Sequence, residues 1–82
     1  MQDLDVVVCG GGRTGHLNAV LFKQVPGVRV SLLTTRQDVI ARHQKSPDGL
    51  TALVPDSPPL RARLDTVGHD ATLVAHADLV IL

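Results

Sequence analysis

The chain has 82 residues, 44% of them hydrophobic and 20% charged, and its eight basic side chains balance eight acidic ones. This composition is typical of a globular protein, and a net charge of zero gives no reason to expect nucleic acid or an anionic membrane as a partner. The longest apolar runs are far too short to span a bilayer. The single cysteine cannot form an internal disulfide, which favours a cytoplasmic location.

The first half of the chain alternates strand and helix patterns. Residues 5–9 form a β-branched run that predicts a buried parallel strand, and Val28–Leu33 predicts a second one. Between them, residues 14–24 have a helical pattern that ends before Pro26-Gly27. We expect this helix to place four apolar side chains on one side, namely Leu17, Val20, Leu21 and Phe22. A second, short helix over residues 38–43 should turn Val39, Ile40 and His43 inward.

The second half begins with a predicted hairpin. Residues 50–54 and 60–64 flank a connector rich in proline, and the second run alternates between an apolar face and a face with Arg61, Arg63 and Asp65. We therefore expect an antiparallel hairpin laid against the sheet. Asp70 should cap a short helix that ends at His76, and residues 78–82 open a last strand. Because the chain stops inside this apolar run, we expect the protein to be larger than 82 residues.

The turn after the first strand carries the motif with a chemical meaning. Gly10-Gly11-Gly12-Arg13-Thr14-Gly15 matches G-x-G-x-x-G, with a strand before it and a helix directly after it. In this motif the first glycine allows the tight turn, the second lets the backbone approach a pyrophosphate, and the third lets the helix pack on the strand. The helix N-terminus offers unpaired N–H groups to the phosphates. Together with the alternating elements, the motif predicts an α/β, Rossmann-type parallel sheet with flanking helices and an antiparallel hairpin insertion. Residues 1–82 are then the N-terminal part of a dinucleotide-binding domain.

The end of the second strand indicates which dinucleotide is bound. A site for NAD usually has Asp or Glu there to accept hydrogen bonds from the ribose 2′-hydroxyl. This chain has Thr34, Thr35 and Arg36 instead, and an arginine beside two hydroxyls suits the 2′-phosphate of NADP. Arg13 could reach the same phosphate or stack on adenine. The alternative for both arginines is a solvated surface role. We expect NADP(H), with NAD(H) as the second option.

The remaining reactive side chains predict no catalytic or metal site. Cys9 at a strand end is typical of a small buried residue. His16, in the first turn of the helix, either contacts the cofactor or packs. His43, His69 and His76 share no metal-ligand spacing and are expected at the surface or at helix ends. No nucleophile lies beside a base.

The same residues resemble a known enzyme family. The run from Val6 through the glycines to His16, the second strand with Thr34, and the segment 77–82 are similar to the N-terminal domain of the octopine/nopaline (opine) dehydrogenases. The resemblance extends over essentially the whole chain, although only the glycine turn and the strand ends are specific. Arg13 departs from the family pattern, which usually has Asn there.

Membership of that family would imply reductive condensation of an amino acid with a 2-oxo acid, using NAD(P)H, in a protein that could be a homodimer. The family's catalytic residues belong to a C-terminal domain outside this chain, so none can be assigned here. Ketopantoate reductases and glycerol-3-phosphate dehydrogenases have a similar first domain and are the nearest alternatives. A nucleotide-sensing regulatory module is the alternative outside enzymes, but such modules usually keep the acidic residue that follows the second strand.

Overall fold

The computed structural model describes residues 4–10 and 12–82, with only the backbone described for Arg13 and Thr14. The first part of the chain forms strand β1 (Leu4–Cys9), helix α1 (Arg13–Lys23), strand β2 (Val28–Leu33) and helix α2 (Gln37–Lys45). Strands β3 (Leu50–Ala52), β4 (Leu60–Ala62) and β5 (Thr66–Gly68), a 3₁₀ helix (Ala71–His76) and strand β6 (Leu79–Ile81) follow.

Four of the strands form one parallel sheet in the order β5-β2-β1-β6. This is the strand order of the first half of a Rossmann-type sheet. Strands β2 and β5 lie on one side of β1, and β6 lies on the other side, so the order of the strands reverses at β1. Strands β3 and β4 form a separate antiparallel pair. The predicted α/β architecture, with its parallel sheet, flanking helices and antiparallel hairpin, is therefore confirmed.

Valines and leucines on one face of the two central strands, β1 and β2, form the core. Val6, Val8, Val30 and Leu32 are almost completely buried, as expected for parallel strands flanked by other elements. The hairpin packs mainly along α1 and adds Leu50, Ala52, Ala62 and Leu64 to the same core cluster. The predicted alternation along the second hairpin strand is correct, since Ala62 and Leu64 are buried while Arg61 and Arg63 are exposed.

The buried face of α1 is not quite the predicted one. Ala19 and Val20 are fully buried, with Leu17 and Phe22 packed against the core at its border. Leu21, expected on the same side, is 41% exposed. Adjacent residues lie about 100° apart around a helix, so a stripe centred on Ala19 and Val20 turns Leu21 away from the core.

His43 joins α2 to the hairpin. Its side chain is buried, as expected for the inner face of α2, and its Nε2 accepts a hydrogen bond of 3.0 Å from the Leu64 N–H. The Arg63 guanidinium donates to the carbonyl oxygens of His43 and Ser46. Burial of the imidazole, with the positive charge of Arg63 near it, lowers the pKa of His43. The neutral ring therefore serves as a structural acceptor.

Asp65 ties the end of the hairpin to β2. Its backbone N–H donates to the Val30 carbonyl oxygen. Its carboxylate accepts a 2.7 Å hydrogen bond from the Val30 N–H and forms a 2.8 Å ion pair with Lys23. Burial opposes ionisation of this carboxyl, but the hydrogen bonds from Lys23 and Val30 outweigh it and hold the pKa of Asp65 below its usual value. Asp65, which was expected to face solvent, is thus bound to β2 directly before β5 begins at Thr66.

Strand β5 was not expected from the sequence. It pairs with β2 from Ser31↔Thr66 to Leu33↔Gly68 and so widens the sheet by one strand. The last helix also differs in type, since Ala71–His76 is a 3₁₀ helix. Its predicted cap is correct, because the Asp70 carboxylate accepts a 3.0 Å hydrogen bond from the Thr72 N–H.

Among the described residues, no helix is long and apolar enough to cross a membrane.

Candidate functional site

The glycine turn lies at the carboxyl end of β1, where the strand order of the sheet reverses. Gly10 has a φ of +108°, a conformation that side chains rarely allow, and its N–H donates to the Leu33 carbonyl oxygen at 2.8 Å. The hydrogen bond holds the ends of β1 and β2 side by side. The tight turn predicted at Gly10 is present.

Gly15 is where α1 comes closest to β1. A Cβ atom on Gly15 would lie 2.5 Å from the Gly10 carbonyl oxygen, a separation that real side chains do not adopt. Only glycine lets the helix pack at this distance, which is the role predicted for the third glycine of the motif.

Gly12, by contrast, faces open space. It is the N-cap of α1, and a Cβ placed on it would meet no atom of the described chain within 4 Å. The first backbone bond of the helix runs from the His16 N–H to the Gly12 carbonyl oxygen, so the earlier N–H groups have no partner within the helix. The first turn of α1 contains no acidic residue. This end of the helix can therefore accept an anion.

Three of the predicted cofactor contacts cannot be placed in the same way. Gly11 lies outside the described residues, and so do the side chains of Arg13 and Thr14. The backbone of Arg13 and Thr14 forms the first turn of α1.

Thr34, Thr35 and Arg36 leave the carboxyl end of β2 beside the glycine turn. Thr34 is buried; its N–H donates to the Gly68 carbonyl oxygen, and its hydroxyl oxygen accepts from the Arg36 N–H. Its side chain therefore shapes the turn from within. Thr35 and Arg36 are exposed.

A cleft of about 330 Å³ brings these segments together. The glycine turn contributes Gly10, and the end of β2 contributes Leu33 and the segment 34–36. The chain after β5 contributes His69 and Ala71, neither of which the sequence indicated for this site. Three parallel strands thus deliver their carboxyl ends to one cleft, as ligand sites of open α/β sheets do.

Arg36, the predicted phosphate ligand, forms an ion pair at the N-terminal end of α2. The Arg36 guanidinium contacts the Asp38 carboxylate at 2.8 Å (Nη2 to Oδ2) and 3.3 Å (Nε to Oδ1), and both side chains are about half exposed. The hydrogen bond from Arg36 lowers the pKa of Asp38. Asp38 was missed as a site residue, although an acidic residue in the first turn of a helix is favoured by the helix dipole.

The other candidates are placed as follows. His16 Nε2 is buried and has no hydrogen-bond partner in the part of the chain that the structure describes. Cys9 is half-buried at the end of β1. His76 is exposed at the end of the 3₁₀ helix. Among residues 4–10 and 12–82, no three histidine, cysteine or acidic side chains lie close enough to hold a metal ion.

A second cleft, of about 390 Å³, adjoins the first one at His69. It lies between α2 and the end of β5, with Gln37 and Gln44 on the helix and Asp70 on the strand side. None of the described residues that line it is an arginine or a lysine. Of the described residues, His69 is the one that lines both clefts.

The chain is similar to one curated protein of unestablished role. It is 51% identical over 81 residues to the uncharacterized protein y4xO of Sinorhizobium fredii (strain NBRC 101917 / NGR234). The alignment covers 96% of this chain and 21% of that protein, so the chain spans about a fifth of the length of this relative. No family model matches the chain. No solved structure matches it.

Proposed function

We propose that this chain binds NADP(H), with NAD(H) as the second option, as the cofactor-binding part of an oxidoreductase. The observation that carries the proposal is the cleft in which Gly10 of the turn meets Thr35 and Arg36 at the end of β2. In sheets of this strand order, dinucleotides bind outside the carboxyl ends of the strands, where the order reverses.

The glycine turn suits the pyrophosphate. Gly12 presents an open backbone surface that a side chain would fill, and the N–H groups of the first turn of α1 lie next to it without an acidic neighbour. Backbone N–H groups at a helix N-terminus bind phosphates by hydrogen bonds and by the helix dipole. In this proposal the turn positions the two phosphates and leaves the rest of the cofactor free to extend along the sheet edge.

The end of β2 suits the adenosine ribose. Thr35 and Arg36 are exposed and line the cleft, while the residues directly after the strand, 34–36, include no carboxylate. A guanidinium forms paired hydrogen bonds with a phosphate. The ion pair with Asp38 restricts the guanidinium before any ligand arrives, which reduces the entropy lost on binding. These features favour NADPH over NADH.

The reaction class comes from the resemblance to opine dehydrogenases. In that reading the dinucleotide supplies the hydride for the reductive condensation of an amino acid with a 2-oxo acid. The residues of this chain would hold and orient the cofactor, whereas the groups that bind substrate and transfer protons would belong to a part of the protein outside residues 1–82. Since the relative is about five times as long as the aligned region, substrates and partners stay proposals.

Gly12→Val tests the cofactor proposal. A Cβ atom at Gly12 meets no atom of the described chain within 4 Å, so the fold should persist while the branched group occupies the space proposed for the pyrophosphate. We expect calorimetric affinity for NADPH to fall at least tenfold, because a lost phosphate contact is worth roughly 1.5–3 kcal/mol. Ser57→Val, in the exposed loop between β3 and β4, is the matched control and should leave affinity unchanged. Equal affinities in Gly12→Val and Ser57→Val would overturn the proposal.

A further inference from the structure

His69 lies where the cofactor proposal would place the adenosine end of the dinucleotide. It follows β5 directly, and the Gly68 carbonyl oxygen accepts the Thr34 N–H at 2.8 Å, which holds the ends of β2 and β5 together. His69 and Arg36 therefore line the same cleft. His69 is exposed, so its imidazole is accessible to a ligand there.

The charges around the cleft leave a role for a second cation. Arg36 is paired with Asp38, and the two charges sum to zero. A ribose 2′-phosphate, like other phosphate monoesters, carries roughly −1.5 to −2 charges at neutral pH. A neutral ion pair can give this group directed hydrogen bonds but little net electrostatic attraction.

The other titratable groups near His69 are acidic or half-buried. Asp70 follows it in sequence, and its carboxylate accepts hydrogen bonds from the N–H and the hydroxyl of Thr72. These bonds, and to a lesser degree the charge of His69, lower the pKa of Asp70. Cys9 is half-buried at the end of β1, and the α2 side chains next to His69, Gln37 and Gln44, carry no charge. Among the described side chains that line the two clefts, His69 is the one besides Arg36 that can carry a positive charge.

We propose that His69 is a second ligand of the cofactor's 2′-phosphate, acting with Arg36, so that preference for NADPH strengthens as the imidazole becomes protonated. The inference rests on the proposed cofactor site. The phosphate would receive a hydrogen bond from the Arg36 guanidinium and one from the N–H⁺ of His69, and the imidazolium supplies the charge that the Arg36–Asp38 pair lacks. Charge-assisted hydrogen bonds of this kind change affinity by about tenfold or more.

The test compares 2′,5′-ADP with 5′-AMP, two probes that differ only in the 2′-phosphate. Affinities are measured by calorimetry at pH 6.5 and pH 8.0 for the unsubstituted protein, His69→Gln and His76→Gln. His76 is exposed and lines neither cleft, so its variant is the matched control. The 2′-phosphate itself titrates near pH 6, but it does so equally with all three proteins, so their difference isolates the imidazole.

We expect the advantage of 2′,5′-ADP over 5′-AMP to grow by about threefold to tenfold from pH 8.0 to pH 6.5, given the size of a charge-assisted contact. This growth should disappear in His69→Gln and persist in His76→Gln, with 5′-AMP affinity unchanged in both. The imidazole NMR signals of the unsubstituted protein supply an independent measurement, since 2′,5′-ADP should shift the His69 resonance and leave the His76 resonance in place.

The outcomes separate the two proposals. If both probes bind and His69→Gln keeps the same pH dependence as the control, the role of His69 is wrong while the cofactor site stands. If His69→Gln weakens both probes equally at both pH values, His69 contacts adenosine and not the phosphate, which also refutes the inference. If neither probe binds the unsubstituted protein, the cofactor site is wrong and the role of His69 falls with it.

Discussion

Replacing Gly15 by alanine should destabilise the fold through a contact between two backbone segments. The added Cβ would lie 2.5 Å from the Gly10 carbonyl oxygen and 3.2 Å from its carbonyl carbon. No rotamer change can relieve a clash with backbone atoms, so α1 must move away from β1. Overpacking of this kind costs about 1–3 kcal/mol, from which the better helix propensity of alanine recovers at most about 1 kcal/mol.

Gly12→Ala is the matched control within the same turn. Its Cβ would meet no atom of the described chain within 4 Å, and its φ of −77° is one that alanine adopts readily. We expect its free energy of unfolding to change by less than about 1 kcal/mol, chiefly because alanine is a poorer N-cap than glycine.

Thermal unfolding followed by circular dichroism, together with urea titration, measures both variants. In a domain of this size, 1 kcal/mol shifts Tm by about 4–8 °C, so Gly15→Ala should unfold clearly below Gly12→Ala. Equal Tm values for the two variants would refute the close approach of α1 to β1, and with it the geometry of the turn.

Three further predictions concern single side chains. Arg36→Ala should lower NADPH affinity by about tenfold and leave NADH affinity within about twofold, because only NADPH has a 2′-phosphate; equal losses for both cofactors would contradict the assignment. Asp65→Ala should lower the free energy of unfolding in urea by about 1–2 kcal/mol, because it removes hydrogen bonds to β2 and α1. The control is Asp48→Ala, at an exposed 3.7 Å ion pair, which should change this free energy by less than about 0.5 kcal/mol. The lowered pKa of His43 means that the unfolded chain takes up its proton first, so stability should be fully present above about pH 6.5 and decrease as pH falls through the histidine range. His43→Leu should weaken that decrease, and an unchanged slope would show that His43 is not the group responsible.

The sequence predicts those elements correctly that have a clear hydrophobic pattern within their own residues. Val28–Leu33 is predicted with the bounds that β2 has, because a mostly apolar segment between a Pro-Gly break and a polar segment is typical of a strand. Strand β5, in contrast, is a three-residue Thr-Val-Gly segment with no pattern of its own. It forms because β2 has an open edge and Asp65 anchors the chain there, and neither fact is local to the segment.

The same distinction holds for the candidate site. The roles of Gly10 and Gly15 follow from the spacing of the motif, since they express the geometry of one turn. Arg36, predicted to contact the cofactor, lines the cleft, and its ion pair with Asp38 was not anticipated. His69 could not be assigned to the cleft because its position depends on β5. Residues set by local spacing were predictable, whereas those set by pairing across the sheet were not.

An NMR titration of the ¹⁵N-labelled, 8.7 kDa chain with NADPH tests the cofactor site directly. If the cleft binds the dinucleotide, we expect saturable shifts of backbone amide signals concentrated at Gly10, Gly12 and the segment 34–36, with the hairpin signals of β3 and β4 unchanged. Amide shifts that saturate elsewhere, or no shifts at millimolar NADPH, would contradict the claim that this cleft binds a dinucleotide.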